Sequence, residues 1–267
     1  MLTPGFYNSQ PTFSANLNSP KLKLSQKDFF IKIRGYGKNP IWAEQVKKTA
    51  DTAVNLIRRD TSAENVLKFI TAGVRKGNYL TLDLDKKFST GVLRTERKDW
   101  KSSSFYRDIS TAYEEGRYSG YKARLDEVYK NPLNNINPEI AMSRPNKYQD
   151  IFHGEPQLIN SSLDYIFDLF KNKYASFIKK DVKKEDLPQI IDVVAEIRWV
   201  LAHATPWLRG SDAVSNVLMR AMFKAVGVKA YPPAKGISYD LEAYCRNLED
   251  YKANFNTFFE KPLEVIE

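Results

Sequence analysis

The sequence has one cysteine, Cys245, and two histidines, His153 and His203. A single thiol excludes an internal disulfide. Three such residues are too few for a structural zinc site, which takes about four ligands. Cys245 falls mid-pattern in a helical stretch, where core packing is its expected role. No apolar run approaches the roughly 18 residues of a membrane span. The start of the chain lacks the basic residues and apolar core of a cleavable export signal. Acidic residues are missing from the whole stretch Met1–Lys27, which is rich in Ser, Asn and Pro and carries no apolar period, so it is read as a flexible leader.

What is present is enough for a real core: 267 residues, of which 42% are hydrophobic. Aromatic and charged contents of 13% and 27% argue against disorder beyond the leader. The expected fold class is mainly α, a helical bundle with a small β-hairpin. Residues 28–267 form either one helical domain or two lobes split by a loop at 131–160. The formal charge of +9 points to anionic partners, whether nucleotides, acidic protein surfaces or nucleic acid. Its lysines are spread along the chain, and no RNP, zinc-finger or helix-turn-helix signature supports nucleic acid.

Periodicity gives the elements. Phe29–Ile33 reads as a short strand. Ile41–Arg59 reads as a helix, with Val46, Ala50, Ala53, Val54 and Ile57 near helical spacing. Ser62 caps a second helix that ends near Gly77. Leu80, Leu82 and Leu84 alternate with polar residues, so Tyr79–Thr95 predicts a hairpin. Trp100–Lys130 reads as a Tyr-rich helical region. Asn131–Pro156 holds Pro132, Pro138, Pro145 and Pro156, which predicts a long loop. Four helices follow: Leu163–Lys180, Glu185–His203 with Pro188 in its first turn, Ser211–Val226 and Ser238–Phe259.

One junction between the second and third of these helices carries chemistry. Thr205-Pro206-Trp207-Leu208-Arg209-Gly210 is a tight loop and Ser211 starts the next helix. The opening amides of that helix have no intrahelical acceptor, and the macrodipole adds partial positive charge there. Gly210 permits close approach to the backbone, and Arg209 offers a bidentate guanidinium. Arg209, Gly210 and Ser211 are therefore candidate ligands for a phosphate or carboxylate. The competing reading is a plain helix cap.

The same segment is similar to the Fic family motif, His-Pro-Phe-x-(Asp/Glu)-Gly-Asn-Gly-Arg-x-x-Arg. Pro206 stands at the motif proline, Trp207 at the phenylalanine and Gly210 at the first glycine. Ala195-Glu-Ile-Arg-Trp-Val-Leu-Ala-His-Ala204 resembles the helix leading in, and Leu218–Val228 the helix leading out. The departures are chemical. Thr205 occupies the histidine's place, Arg209 the acidic metal ligand's, Ser211 the asparagine's, Asp212 the second glycine's, Ala213 the first arginine's and Asn216 the last arginine's. A threonine does not titrate near neutrality and cannot act as the general base, and Arg209 repels magnesium, so no metal and no ordinary AMP transfer are expected.

A Fic-like scaffold without its histidine, behind an acid-free leader of the kind seen on type III effectors, resembles the AvrB-like branch of secreted bacterial effectors. That resemblance implies delivery into a host cell and transfer of a group from a nucleotide or nucleotide-sugar donor to a host protein. It leaves Thr205 and Asp212 as candidate catalytic positions, and Arg209, Gly210, Ser211 and Asn216 as candidate donor contacts. Arg94 and Thr95, on the hairpin that stands for the family's flap, become candidate target-docking residues. Thr111-Ala-Tyr-Glu-Glu115-Gly116 fits the family's short inhibitory pattern. The alternative is an effector that binds a host protein without catalysis, through a basic, Tyr-rich surface.

Overall fold

The computed structural model describes residues 22–34, 36–81, 89–96, 106–107, 116–117, 120–133, 137–148 and 150–266. The leader up to residue 21 and the pattern at Thr111–Glu115 lie outside them. Among the described residues the chain is mainly helical.

Helix α1 spans Pro40–Arg58, with Pro40 at its first position and the Asn39 side chain accepting from the amides of Ile41 and Trp42. Helix α2 spans Ala63–Thr81. Strand β1 (Tyr106–Arg107) precedes α3 (Tyr121–Lys130). Strands β2 (Arg144–Pro145) and β3 (Ile151–Phe152) lead to α4 (Ile159–Leu169). A π turn over Phe170–Tyr174 joins α4 to α5 (Ala175–Ile178). Then come α6 (Leu187–Ala204), α7 (Ser211–Ala225), β4 (Val228–Lys229), α8 (Tyr239–Tyr244), α9 (Leu248–Asn254) and β5 (Glu264–Val265).

The residues of α6 from Val193 to Ala204 are all buried, the mark of a core helix. Helix α6 packs against α4, α8 and α9 on one side and α7 on the other, and α7 in turn packs against α1 and α2. The buried apolar residues form one contiguous cluster from Phe29 to Leu263. Two small antiparallel sheets decorate it. One has the order β1-β3-β2, with Phe152 opposite both Tyr106 and Arg144. In the other, Val228 pairs with Val265.

Several sequence expectations need correction. Phe29–Ile33 is no strand; a 3-10 turn over Gln26–Phe29 is followed by irregular chain. Phe29, Ile31 and Ile33 are all buried, so their alternation records burial without a partner strand. Helix α2 runs past Gly77 to Thr81, so Tyr79 and Leu80, the start of the predicted hairpin, belong to its last turn, while Leu82 and Leu84 lie outside the described residues. The second arm pairs elsewhere: Thr90 and Leu93 bridge to Arg209 and Trp207. Among the described residues of Trp100–Lys130, Tyr106 and Arg107 form a strand and α3 is the α-helix. Tyr121 of that region is buried and Tyr129 is exposed. The long helix predicted over Ser238–Phe259 breaks after Tyr244. Asn247 recaps it by accepting from the Asp250 amide.

Gly73 sets the α1–α2 spacing. A Cβ there would lie 2.3 Å from both Cγ2 and Oγ1 of Thr49, a buried residue of α1. Alanine is the better helix former by about 1 kcal/mol, but overpacking costs about 1–3 kcal/mol. Gly73→Ala is expected to lower the urea midpoint, with a net loss of about 1–2 kcal/mol. Adding Thr49→Ala should restore most of it. A single Gly73→Ala variant as stable as the parent would show that the helices separate freely.

Candidate functional site

Helix α6 ends inside the protein. Thr205 closes it in the left-handed region, at φ 39°, and its amide still donates to the Leu201 carbonyl at 3.1 Å. A helix that ends in the interior leaves carbonyls that need donors, and side chains from distant segments supply them. Arg94 donates from Nε to the Thr205 carbonyl at 2.8 Å, and from Nη2 to the carbonyls of Ala204 at 2.9 Å and Gly154 at 2.8 Å. Ser143 donates from Oγ to the His203 carbonyl at 2.6 Å, and its amide donates to the same oxygen. Arg94 is only 4% exposed, and desolvation pulls its guanidinium down to about 10.

The loop after Thr205 is held along its backbone. The amides of Gly91 and Arg94 donate to the carbonyls of Arg209 and Pro206, and the Leu208 amide donates to Val92. Ser211 Oγ donates to the Trp207 carbonyl at 3.1 Å and lies 3.2 Å from the Trp207 amide, which donates back. The N-cap of α7 is Gly210, at φ 92°; its carbonyl takes the Val214 amide at 2.9 Å. Its conformation suits glycine, and a Cβ there would meet Thr90 Cγ2 at 3.2 Å. The sequence reading of Ser211 as the cap is therefore shifted by one residue, because the left-handed turn needs glycine.

The predicted site residues divide into two groups. Thr205 is buried, with Oγ1 3.4 Å from Ser143 Oγ. Arg94 is buried under the end of α6, with its guanidinium committed to carbonyls, while its neighbour Thr95 is exposed. Asn216 is buried, and its Oδ1 meets no donor among the described residues. Arg209 is exposed, and Gly210, Ser211 and Asp212 are partly exposed at the surface of the junction.

Arg198 was missed by sequence reasoning, which treated it as part of the lead-in helix. It is 1% exposed, its Nη2 pairs with Asp212 Oδ1, and the guanidinium lies 5.6 Å from the centroid of the Tyr239 ring. Its Nε and Nη1 meet no acceptor among the described residues. Burial works against the Arg198 charge, but the carboxylate of Asp212 and the more distant groups around it hold its affinity for the proton above the ordinary arginine value. The available signal is a charge set in the apolar run Ile197–Ala202.

A cavity of about 770 Å³ adjoins the junction. Trp207 and Gly91 line it, whereas Thr205, Arg209 and Ser211 do not.

His203, two residues before Thr205, is buried. Its ring sits 4.0 Å from Trp199 and 5.5 Å from Tyr244 between centroids, and Nδ1 lies 3.0 Å from the Trp199 carbonyl. Desolvation drives it down to about 4, so it is neutral at physiological pH and faces the core.

Two measurements follow from this geometry. Arg94→Met should cost about 3 kcal/mol, read from denaturant unfolding, because buried carbonyls lose charged donors; an unchanged midpoint would show that water replaces them. His203 has a folded value near 4 against about 6.5 unfolded. The unfolded chain therefore binds the extra proton between these values, and stability is lost as pH falls from about 6.5 to 4, by about 3 kcal/mol at most. His203→Gln should flatten that part of the stability profile; an unaltered slope would assign the acid sensitivity to other groups.

No curated protein matches this chain. The avirulence protein family model of AvrB and AvrC matches residues 111–262, more than half of the chain, and covers α3 to α9, including the junction. The chain therefore belongs to the AvrB/AvrC avirulence protein family, bacterial effectors that act inside host cells.

Proposed function

We propose that this effector has a diverged Fic-like scaffold and transfers a group from a nucleotide-linked donor to a host protein, with the donor's phosphates at the opening of α7. The observation that carries this reading is the pairing of Asp212, in the first turn of α7, with the fully buried Arg198. It sets a fixed carboxylate beside the exposed Arg209 and the glycine-opened helix start. The opening amides of that turn and the Arg209 guanidinium suit a phosphate.

In this reading the acceptor hydroxyl of the host protein attacks the donor atom bonded to the nucleotide. That bond breaks, and the nucleotide leaves with the electron pair, its new negative charge met by Arg209 and the helix amides. The acceptor proton passes to Asp212. Arg198 orients Asp212, and Thr95 contributes to the surface against which the target lies. With Thr205 buried, Asp212 takes the proton that the Fic histidine would accept, and the rest of the rate comes from positioning and electrostatics. The acid-free leader would carry the export signal.

The alternative is an effector that only binds its host protein. The exposure of Tyr79, Tyr129 and Tyr148 on a basic chain favours it.

Thermal shift and calorimetry with a panel of nucleotides and nucleotide-sugars should find one that stabilises the protein. Arg209→Ala is expected to weaken it about tenfold, or 1.4 kcal/mol. Mass spectrometry of host lysate treated with protein and donor should show an adduct that Asp212→Asn abolishes. No binding by any donor, together with a stable but unmodified partner, would sink transfer in favour of simple binding.

A further inference from the structure

The cavity beside the junction is a groove between two helices. Helix α2 turns one face toward it, with Leu67, Thr71, Ala72 and Arg75 at helical spacing, and α4 does the same with Asn160, Leu163, Asp164 and Phe167. Leu93 and Trp207 form the floor. Each helix thus offers a partly apolar face to the space a third helix would fill. The lining of α2 runs from Glu64 to Tyr79, about 22 Å at 1.5 Å per residue, or roughly four helical turns.

The charges on the two walls differ in sign. Exposed Arg75 and Lys76 stand on α2, while exposed Asp164 stands on α4 and Glu96 at the end of the floor. None of these four makes an ion pair among the described residues. A lipid tail or an all-apolar segment would leave both walls unmatched. A second copy of this chain is opposed by its net charge of +9.

We propose that this groove docks an amphipathic helix of a partner protein. Roughly three or four apolar residues at i, i+3 or i+4, and i+7 enter the groove. Acidic residues on one flank meet Arg75 and Lys76, and basic residues on the other meet Asp164 and Glu96. The groove needs no donor to act, so docking is separable from group transfer and stands even if transfer fails.

The test uses the full chain and fluorescein-labelled synthetic peptides of about four turns, the length the groove sets, read by fluorescence anisotropy. The matched peptide carries a leucine stripe with acids on one flank and bases on the other. A second peptide exchanges the two flanks, and a third has a central proline that breaks the helix. The matched peptide is expected to bind at least tenfold more tightly than the other two. Ala72→Arg, an exposed substitution by a good helix former, should abolish binding without altering the unfolding midpoint. The double variant Arg75→Glu with Asp164→Lys should reverse the preference between matched and exchanged peptides. Equal binding of the proline peptide would overturn the helical occupant. Binding indifferent to Ala72→Arg would place it elsewhere and overturn the site. No anisotropy change with any peptide, even if an apolar dye enters the groove, would overturn docking of a protein helix.

Discussion

A core helix that stops in the protein interior must have its last carbonyls satisfied there, and the rest of this structure is arranged around that requirement. Helix α6 is buried through its final turns, so water cannot serve its end. Arg94, from the segment after α2, and Ser143, from the segment before β2, reach it from far away in sequence. Those donors tie three remote stretches of chain to one point. An unmet carbonyl there would cost more than an average hydrogen bond contributes, which is why the arrangement resists simplification.

The junction inherits its rigidity from that closure. The backbone of residues 91–94 pairs with residues 206–209, and the Ser211 hydroxyl locks the loop to the start of α7. Strain in the left-handed Thr205 is sustained because its neighbours on both sides are fixed. The loop then presents one exposed cation, Arg209, and one anchored acid, Asp212. Preorganised groups of this kind do not have to be ordered when a ligand arrives, which suits a protein whose chemistry lacks the histidine of the related motif.

The charge buried behind the junction is the costliest feature. Arg198 has one partner, Asp212, and two N–H groups with no acceptor among the described residues. Asn216 Oδ1 and Arg220 Nε nearby share that condition. Buried ionic groups rarely add stability relative to apolar packing. Their presence on the facing helices α6 and α7 is a departure from apolar packing, and such departures concentrate where function competes with packing.

The sequence determined the helices α1, α6 and α7, because each has a long apolar period; Pro188 also marked the first turn of α6, whereas the cap of α7, expected at Ser211, is Gly210. It also determined the loop between α6 and α7, since Thr205–Gly210 cannot continue a helix through Pro206 and a left-handed glycine. Periodicity misread the segments whose apolar residues are buried without regular partners, Phe29–Ile33 and Tyr79–Thr95, since alternation records burial and burial does not require a strand. Only the tertiary structure decided which side chains at the junction face outward. Arg94 and Thr205 point inward because the end of α6 is enclosed, and Arg198 reaches Asp212 because α6 and α7 pack side by side. These outcomes depend on which distant segments supply hydrogen-bond donors, and local sequence carries no record of that choice.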